Sequence, residues 1–458
     1  MRYNKGMKQS ERKNAPRSAA TDGRGAKKAE RFYHTAVIGG GAAGLFFAAK
    51  YGDERTLIIE KGERFGRKLS AAGGGWGNVT NLHAGAFSSG TCGGDGGYFT
   101  FESAERGKIE RAIKKYPPAS LREFLLSVGC VTFADERGRV YPLSRQASSI
   151  TDCLRAEISR RGVITVTGAE ATRIFPAKKA GKTFYEIVTS NGVFEAENVL
   201  LCTGGKAAGH FGSDGGGYLL AQSLGHSVTK TYPALVQVKC AEKDLRALKG
   251  IRVFDGAITL FVGGGEVAKQ RGDILFTEYG VSGDAAFKIS SYLPCADGAP
   301  DGAELSVDFL PDLPEETLKQ VLYEKKKRYV NATEGALFTG ILNNRLGETL
   351  ARRVCGREEK KKSGRDEIAL LAGEAKAFTL TITGTMGFDN AQVTKGGVPL
   401  AETDDTFQSV FCKNLCFAGE ILDVDGACGG YNLQWAYSSA CAAAEGIFKR
   451  RKNGNEKS

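Results

Sequence analysis

The segment Thr35-Ala-Val-Ile-Gly-Gly-Gly-Ala-Ala-Gly-Leu45 constrains this chain more than any other. A short apolar run passes into a GxGxxG turn, and helix-forming residues follow through Lys50, so the segment reads as strand, tight turn and helix. Each glycine has its own task there. Gly39 permits the turn, Gly41 lets the backbone approach a pyrophosphate, and Gly44 lets the helix lie close on the strand. The free N–H groups at the helix start then face the phosphates. A second strand, Thr56-Leu-Ile-Ile-Glu60, ends in a carboxylate at the spacing where an acid meets ribose hydroxyls. Together these features predict a dinucleotide site. An acid in place of an arginine disfavours a ribose 2′-phosphate, so NADP is not the expected ligand there.

A nicotinamide nucleotide needs only this first unit, whereas FAD is long enough to require contacts from distant parts of the chain. Three more glycine-rich stretches supply them. Gly66-Arg-Lys-Leu-Ser-Ala-Ala-Gly-Gly-Gly-Trp-Gly-Asn-Val-Thr-Asn81 puts two cations, a glycine triplet and amides just after Glu60, where a diphosphate and ribityl chain would run. Val199-Leu-Leu-Cys-Thr-Gly-Gly205 is a strand running into glycines, although Gly204 and Gly205 taken alone fit an ordinary turn equally well. Phe417 to Trp435 reads as a strand and a glycine loop, then a small-residue helix through Ala444. A helix start aimed at the flavin N1 and C2 carbonyl would stabilise the charge of reduced flavin.

Composition bears on the partners. The net charge of +11 suggests nucleic acid until it is located along the chain. Met1 to Arg31 hold ten Lys/Arg against three Asp/Glu, and Lys449 to Ser458 hold five against one. The body between is neutral, so nucleic acid is not an expected partner, and the tails read as solvated disorder. No stretch approaches eighteen uninterrupted apolar residues, and the N-terminal tail lacks a signal-peptide run, so neither a membrane span nor targeting is expected. Eleven cysteines without a framework fit a reducing cytoplasm, and only four histidines exist, so no metal centre is expected.

The expected architecture is α/β, a discontinuous Rossmann-like FAD-binding domain with an inserted small β-barrel and helical bundle. After Gly225 the pattern becomes short β-rich runs, Leu235 to Val238, Ile258 to Val262, Ile274 to Phe276 and Leu305 to Phe309, which predict the barrel. From Pro314 the period turns helical, with Glu315 to Tyr329, Gly340 to Val354 and Glu358 to Ala375 forming a cap. The lysine run 360–362 within it reads as a solvated face. Phe378 to Thr383 then returns to the first domain. The boundaries read as a basic tail 1–32, FAD domain 33–230, barrel 231–311, cap 312–375, FAD domain 376–448 and a second basic tail 449–458.

At these residues the chain resembles the YhiN/BaiN-type flavoprotein family, also labelled aminoacetone-oxidase-like, which is related at the FAD domain to fumarate reductase flavoproteins. The resemblance runs from about Tyr33 to Ala444 and includes Gly138-Arg-Val-Tyr-Pro142, Gly212 to His226, Leu275-Phe-Thr-Glu-Tyr-Gly-Val-Ser-Gly283, Ala391 to Gly397 and Gly419-Glu420 to Trp435. It implies FAD contacts at Ala42, Ala43, Glu60, Lys61, Arg67, Lys68, Gly74, Gly75, Asn78, Thr203 and the loop Asp425 to Leu433, including Gly429, Gly430 and Asn432. Ala171 would touch adenine. There are departures. Trp76-Gly77 stands where the family usually has an Arg-Cys or aromatic-Cys pair, and Glu278 and Asp284 replace its usual His and Pro. The run Gly85 to Gly97 also looks longer than the family suggests and reads as a mobile loop over the site.

The function implied is hydride transfer between flavin N5 and a small organic substrate, an amine or a conjugated carbonyl compound such as a steroid-like acid, with NAD(P)H as a possible reductant. The FAD is expected to be non-covalent, since no attachment histidine is apparent. Trp76, Asn78, Glu278 and Tyr431 are the candidates for the reactive edge. Open alternatives attend three of them: Trp76 as a packed aromatic, Tyr431 as a loop cap and Glu278 as a solvated side chain. A second reading is a flavin-dependent enzyme that modifies nucleic acid and uses the basic tails.

Overall fold

The computed structural model describes residues 32–85, 98–99, 105–179, 182–293, 298–356 and 367–455, with the backbone alone at 98–99, 179, 182 and 449–455. The expectations for the N-terminal tail, for all but the start of the loop 85–97, for the lysine run 360–362 and for the last three residues lie outside them.

Nearly continuous apolar runs build the central sheet. Strand β1 (Phe32–Ile38) is buried from its second residue onward and β2 (Thr56–Ile59) throughout, the pattern of strands covered on both faces. With β3 (Ile164–Val166), β4 (Ala171–Lys179), β5 (Lys182–Thr189) and β6 (Gly192–Leu201) they lie in the order β3-β2-β1-β6-β5-β4. A seventh strand, Leu415–Phe417, pairs with the C-terminal half of β6. β3, β2, β1, β6 and Leu415–Phe417 are parallel neighbours, whereas β5 and β4 attach by antiparallel pairing. Helix α1 (Ala42–Tyr51) covers one face together with the late helix Tyr431–Asn455, and Phe46 meets Tyr437 edge-on at 5.6 Å. That late helix runs past the expected Ala444. No proline interrupts it, and Gly446 sits where a Cβ would lie 2.5 Å from Thr406 Oγ1. Residues 449–455, expected as a separate tail, therefore continue the helix.

The insertion is a closed barrel. Its strands are β7 (Val238–Cys240), β8 (Arg252–Val262), β9 (Gly265–Phe276), β10 (Gly280–Ser282), β11 (Glu304–Asp308) and β12 (Phe378–Thr385), closing in the order β7-β10-β9-β8-β11-β12. This corrects the boundary placed at 376. The strand expected to re-enter the FAD domain instead closes the barrel, paired with β11 on one side and β7 on the other. Its alternating burial turns Phe378, Leu380 and Ile382 inward, and Phe378 packs 5.4 Å from Phe309 and 6.1 Å from Phe276. The cap helices Glu315–Arg328, Asn344–Gly356 and Glu367–Lys376 lie between β11 and β12 in sequence and share the barrel's apolar core. Among the described residues no helix is long and apolar enough to cross a membrane.

Candidate functional site

The parallel strands deliver their C-terminal ends to one edge of the sheet. Ile38 is in register with Ile59 and Leu201, and Leu201 with Phe417, so Gly39, Glu60, Cys202-Thr203-Gly204-Gly205 and Gly419-Glu420 emerge at that edge. Ligands of open α/β sheets bind there. Gly39 has φ +106°, and a Cβ on it would lie 2.6 Å from Cys202 O. One on Gly44 would lie 2.2 Å from Gly39 O. The start of α1 is thereby pressed against the turn, with Gly41 as its N-cap. The Glu60 carboxylate accepts the Gly40 N–H and the Gly62 N–H, each at 2.7 Å. Ala169 donates to Glu60 O at 3.0 Å, which puts the start of β4, Ala171, near that end of the site.

Lys61 pairs with Asp214 at 2.6 Å, and Arg67 donates to His210 O at 2.8 Å. Lys68 pairs with Glu420 at 2.9 Å. Glu420 also accepts the Thr394 N–H at 2.8 Å, and the Thr394 hydroxyl accepts the N–H groups of Lys206 and Ala207. Gly205 fits beneath it because a Cβ would lie 2.4 Å from Thr394 Oγ1. The sequence-distant stretches thus interlock through named bonds.

The two helix starts adjoin. A Cβ on Gly419 would lie 3.0 Å from the Ala43 Cβ, in the first turn of α1, and 4.0 Å from Ala436, in the second turn of the late helix. Ahead of that helix, Asn432 closes the loop by accepting the Gly426 N–H at 2.8 Å and donating to Gly426 O at 2.7 Å. Gly429 and Gly430 have φ +116° and +100°, and a Cβ on Gly430 would meet Thr80 O at 2.4 Å. Leu433 is half-buried against the core that α1 also joins. Both helices therefore turn their positive ends to one region.

Asn78 Oδ1, Thr203 Oγ1 and both carboxylate oxygens of Asp425 are buried there without a hydrogen-bond partner among the described residues. Each such group costs about 1–3 kcal/mol unless something satisfies it. Burial pushes the Asp425 carboxyl up to about 7, against the pull of Lys395 and with the help of Asp423 and Glu420. A polyhydroxylated dinucleotide brings donors for acceptors of this kind, and the glycines leave it room. The residues present fit FAD.

A cavity of about 740 Å³ opens beside this region, between the FAD domain and the barrel. Gly74, Asn78, Gly429 and Tyr431 line it, and Arg139, Tyr141, Lys288 and Cys428 join them. Gly75 adjoins Gly74 with φ +91° and nothing within 4 Å of a Cβ. Asp284, at the start of helix α2 (Asp284–Ser290), lines the cavity and pairs with Lys288 at 2.6 Å. Burial and the facing Asp284 push the Cys428 thiol up to about 12, with Lys288 opposing. Trp76 stands beside the wall, half exposed and 6.5 Å edge-on from Tyr141. Glu278 requires a correction. It sits in the turn between β9 and β10, its side chain 59% exposed and paired with Lys249 at 2.8 Å, and it does not line the cavity. That pairing holds its carboxyl below the ordinary value. The resemblance carried a motif position, and the solvent-facing turn removes that side chain from the site.

Residues 33–446 match the family described as HI0933-like protein Rossmann domain. A 3-dehydro-bile acid delta(4,6)-reductase of Clostridium scindens is 34% identical over 427 residues, which span 90% of this chain and 98% of that protein. A ribosomal RNA dihydrouridine synthase of Escherichia coli is 29% identical, spanning 93% of this chain and 100% of its own length. Its namesake from Haemophilus influenzae is 27% identical, spanning 90% and 98%. The chain belongs to the HI0933-like, FAD-binding Rossmann family and is a flavin-dependent oxidoreductase.

Proposed function

We propose that this chain reduces a carbon–carbon double bond conjugated to a carbonyl, in a small molecule that enters the 740 Å³ cavity, with NADH or NADPH as the electron donor. The observation that carries this reading is the cavity itself. It lies beside the orphaned Asn78 and the glycine loop of the late helix, is of drug-ligand size, and has cationic and phenolic side chains in its wall. The names of the three relatives given above describe the addition of hydrogen to an unsaturated compound.

When bound, FAD supplies two-electron chemistry, passing a hydride from the nicotinamide donor to the substrate carbon. The chain supplies position and charge. Gly39, Gly41, Ala42, Ala43 and Gly44 would hold the diphosphate at the start of α1, with Lys61, Arg67 and Lys68 close by. Glu60 would accept ribose hydroxyls, and the backbone near Ala171 would meet adenine. Thr203, Gly204, Gly205, Gly419, Glu420 and Asp425 would border the ribityl chain, and Gly74, Gly75, Asn78 and the loop Gly429–Leu433 the ring. Tyr431 and Trp76 would flank the substrate. The eleven cysteines, scattered along the sequence without a paired framework, favour a reducing compartment such as the cytoplasm.

A second substrate shares the chemistry. Uracil also carries a double bond conjugated to a carbonyl, two relatives are named for making dihydrouridine in ribosomal RNA, and Arg137 and Arg139 line the cavity. Anaerobic absorbance of the purified holoprotein separates the cases. NADH or NADPH should bleach the flavin, and an added 3-oxo-4-ene steroid acid should restore the colour. Recolouring by uridine-containing RNA alone selects the second substrate; recolouring by neither ends the proposal.

A further inference from the structure

The cavity wall holds a guanidinium fixed in place with one edge unused. Arg139 begins the strand Arg139–Pro142, paired on one side with Thr80–Asn81 and on the other with Thr132–Ala134. Asp135, across a tight turn, accepts its backbone N–H at 2.9 Å and its Nε–H at 2.8 Å, and the oxygen that accepts Nε–H also forms an ion pair with Nη2 at 2.8 Å. Nη1 has no hydrogen-bond partner among the described residues, and the side chain lines the cavity. The stem borders the glycine loop, since a Cβ on Gly429 would lie 3.8 Å from Arg139 Cγ and 3.9 Å from its Cδ. Asn81, in register with Arg139, ties the same loop by donating to Gly429 O at 3.1 Å.

The other cations of the wall are placed differently. Lys288 is held by Asp284 at 2.6 Å and donates to Arg271 O at 3.2 Å. Arg137 is exposed, and only its backbone N–H bonds to Asp135. An arginine stays charged at every working pH and presents a rigid fork of donors. A fixed donor of this kind stabilises charge at little reorganisation cost.

We propose that Arg139 is a catalytic residue of the reduction, its Nη1 edge donating to the substrate's carbonyl oxygen, and that Asp135 is the positioning residue that aims it. This rests on the reading of the site as a reductase of conjugated double bonds. Hydride adds to the carbon β to the carbonyl, and the double-bond pair shifts so that charge gathers on the carbonyl oxygen, where Arg139 meets it. The α-carbon then takes a proton from water and the carbonyl re-forms. The substrate gains a hydride and a proton, and NAD(P)H is left as NAD(P)+.

The test compares wild-type holoenzyme with Arg139→Ala, Arg139→Lys and Asp135→Asn, each checked for FAD content and melting temperature. Two readouts are used: turnover of an enone, and the change in oxidised-flavin absorbance on binding para-chlorophenolate, an oxyanion mimic that needs no turnover. Arg139→Ala should lose about 10²- to 10³-fold in kcat, lose the phenolate band and regain activity with added guanidinium. Arg139→Lys, which keeps the charge without the fork, should retain FAD and fall between wild type and Arg139→Ala. Asp135→Asn should lower kcat more than it raises KM, with no rescue. Unchanged kcat and phenolate binding in FAD-loaded Arg139→Ala and Arg139→Lys overturn the role of Arg139 and leave the site reading intact. A wild-type holoenzyme that binds phenolate and reduces no enone overturns the site reading, and this role with it.

Discussion

Asp425→Asn is expected to act with opposite signs on the FAD-free chain and on FAD binding. The Asp425 side chain is buried, neither oxygen has a partner among the described residues, and burial raises the carboxyl from its ordinary 3.8 to about 7. That gap corresponds to roughly 4 kcal/mol by which folding disfavours the charged form. Because the folded value is the higher one, the stability of FAD-free protein is undiminished below about pH 4. It falls as pH rises through about 7, then levels. Asparagine is neutral throughout, and its buried amide costs about as much as the protonated carboxyl it replaces, so the variant should match wild type near pH 4 and exceed it by roughly 4 kcal/mol at pH 8. FAD, in contrast, would lose hydrogen bonds to a charged acceptor worth about 1.5–3 kcal/mol, raising Kd roughly 10- to 150-fold. Urea unfolding of stripped protein at pH 4 and 8, with fluorescence titration of FAD, measures both. An unchanged Kd, or a stripped variant less stable than wild type at pH 8, refutes the placement of Asp425 on the ligand path.

Gly44→Ala puts a methyl 2.2 Å from Gly39 O, so it should cost about 1–3 kcal/mol in urea unfolding and yield protein nearly free of FAD; a yellow, fully stable variant contradicts the close helix–turn packing. Glu278→Gln should leave kcat and FAD content at wild-type levels, since its exposed side chain meets Lys249 outside the cavity; a tenfold fall in kcat would return Glu278 to the site. His226 bonds Glu402 at 2.8 Å and Ser409 at 2.8 Å, and burial lowers its pKa while Glu402 opposes the shift. His226→Ala should cost about 2–4 kcal/mol. The depressed value means that this histidine's contribution is complete above about pH 6.5 and is lost as pH falls, which a urea series between pH 5 and 8 reads as a shrinking gap between variant and wild type.

The first dinucleotide unit was legible because every part of it is local. A strand, a glycine turn, a helix start and Glu60 fall within a short stretch; Gly39, Gly40 and Gly44 each meet a neighbour that excludes a Cβ, and Gly41 is the N-cap of the helix. The barrel was legible as a change of period. Its closure was not, because Phe378–Thr385 alternates buried and exposed residues as a half-covered strand of either domain would. Pairing with β7 and β11 decides the matter, and that pairing is long-range. Glu278 failed for a related reason: a motif gives a position along the chain but not the direction of a side chain in a turn. Arg139 and Asp135 sit four residues apart, a spacing with no special meaning outside a helix, and Gly429, which gives Arg139 its place, is some 290 residues away. The only sign of them was the Gly138–Pro142 motif, quoted for resemblance without a role.

Acid treatment of the purified, washed chain, followed by separation of what is released, tests the central claim most directly. Intact FAD in a ratio near one per chain is the result expected of two adjoining helix starts, a carboxylate at Glu60 and buried acceptors at Asn78, Thr203 and Asp425. A colourless chain that releases no flavin and takes up none when FAD is added contradicts it.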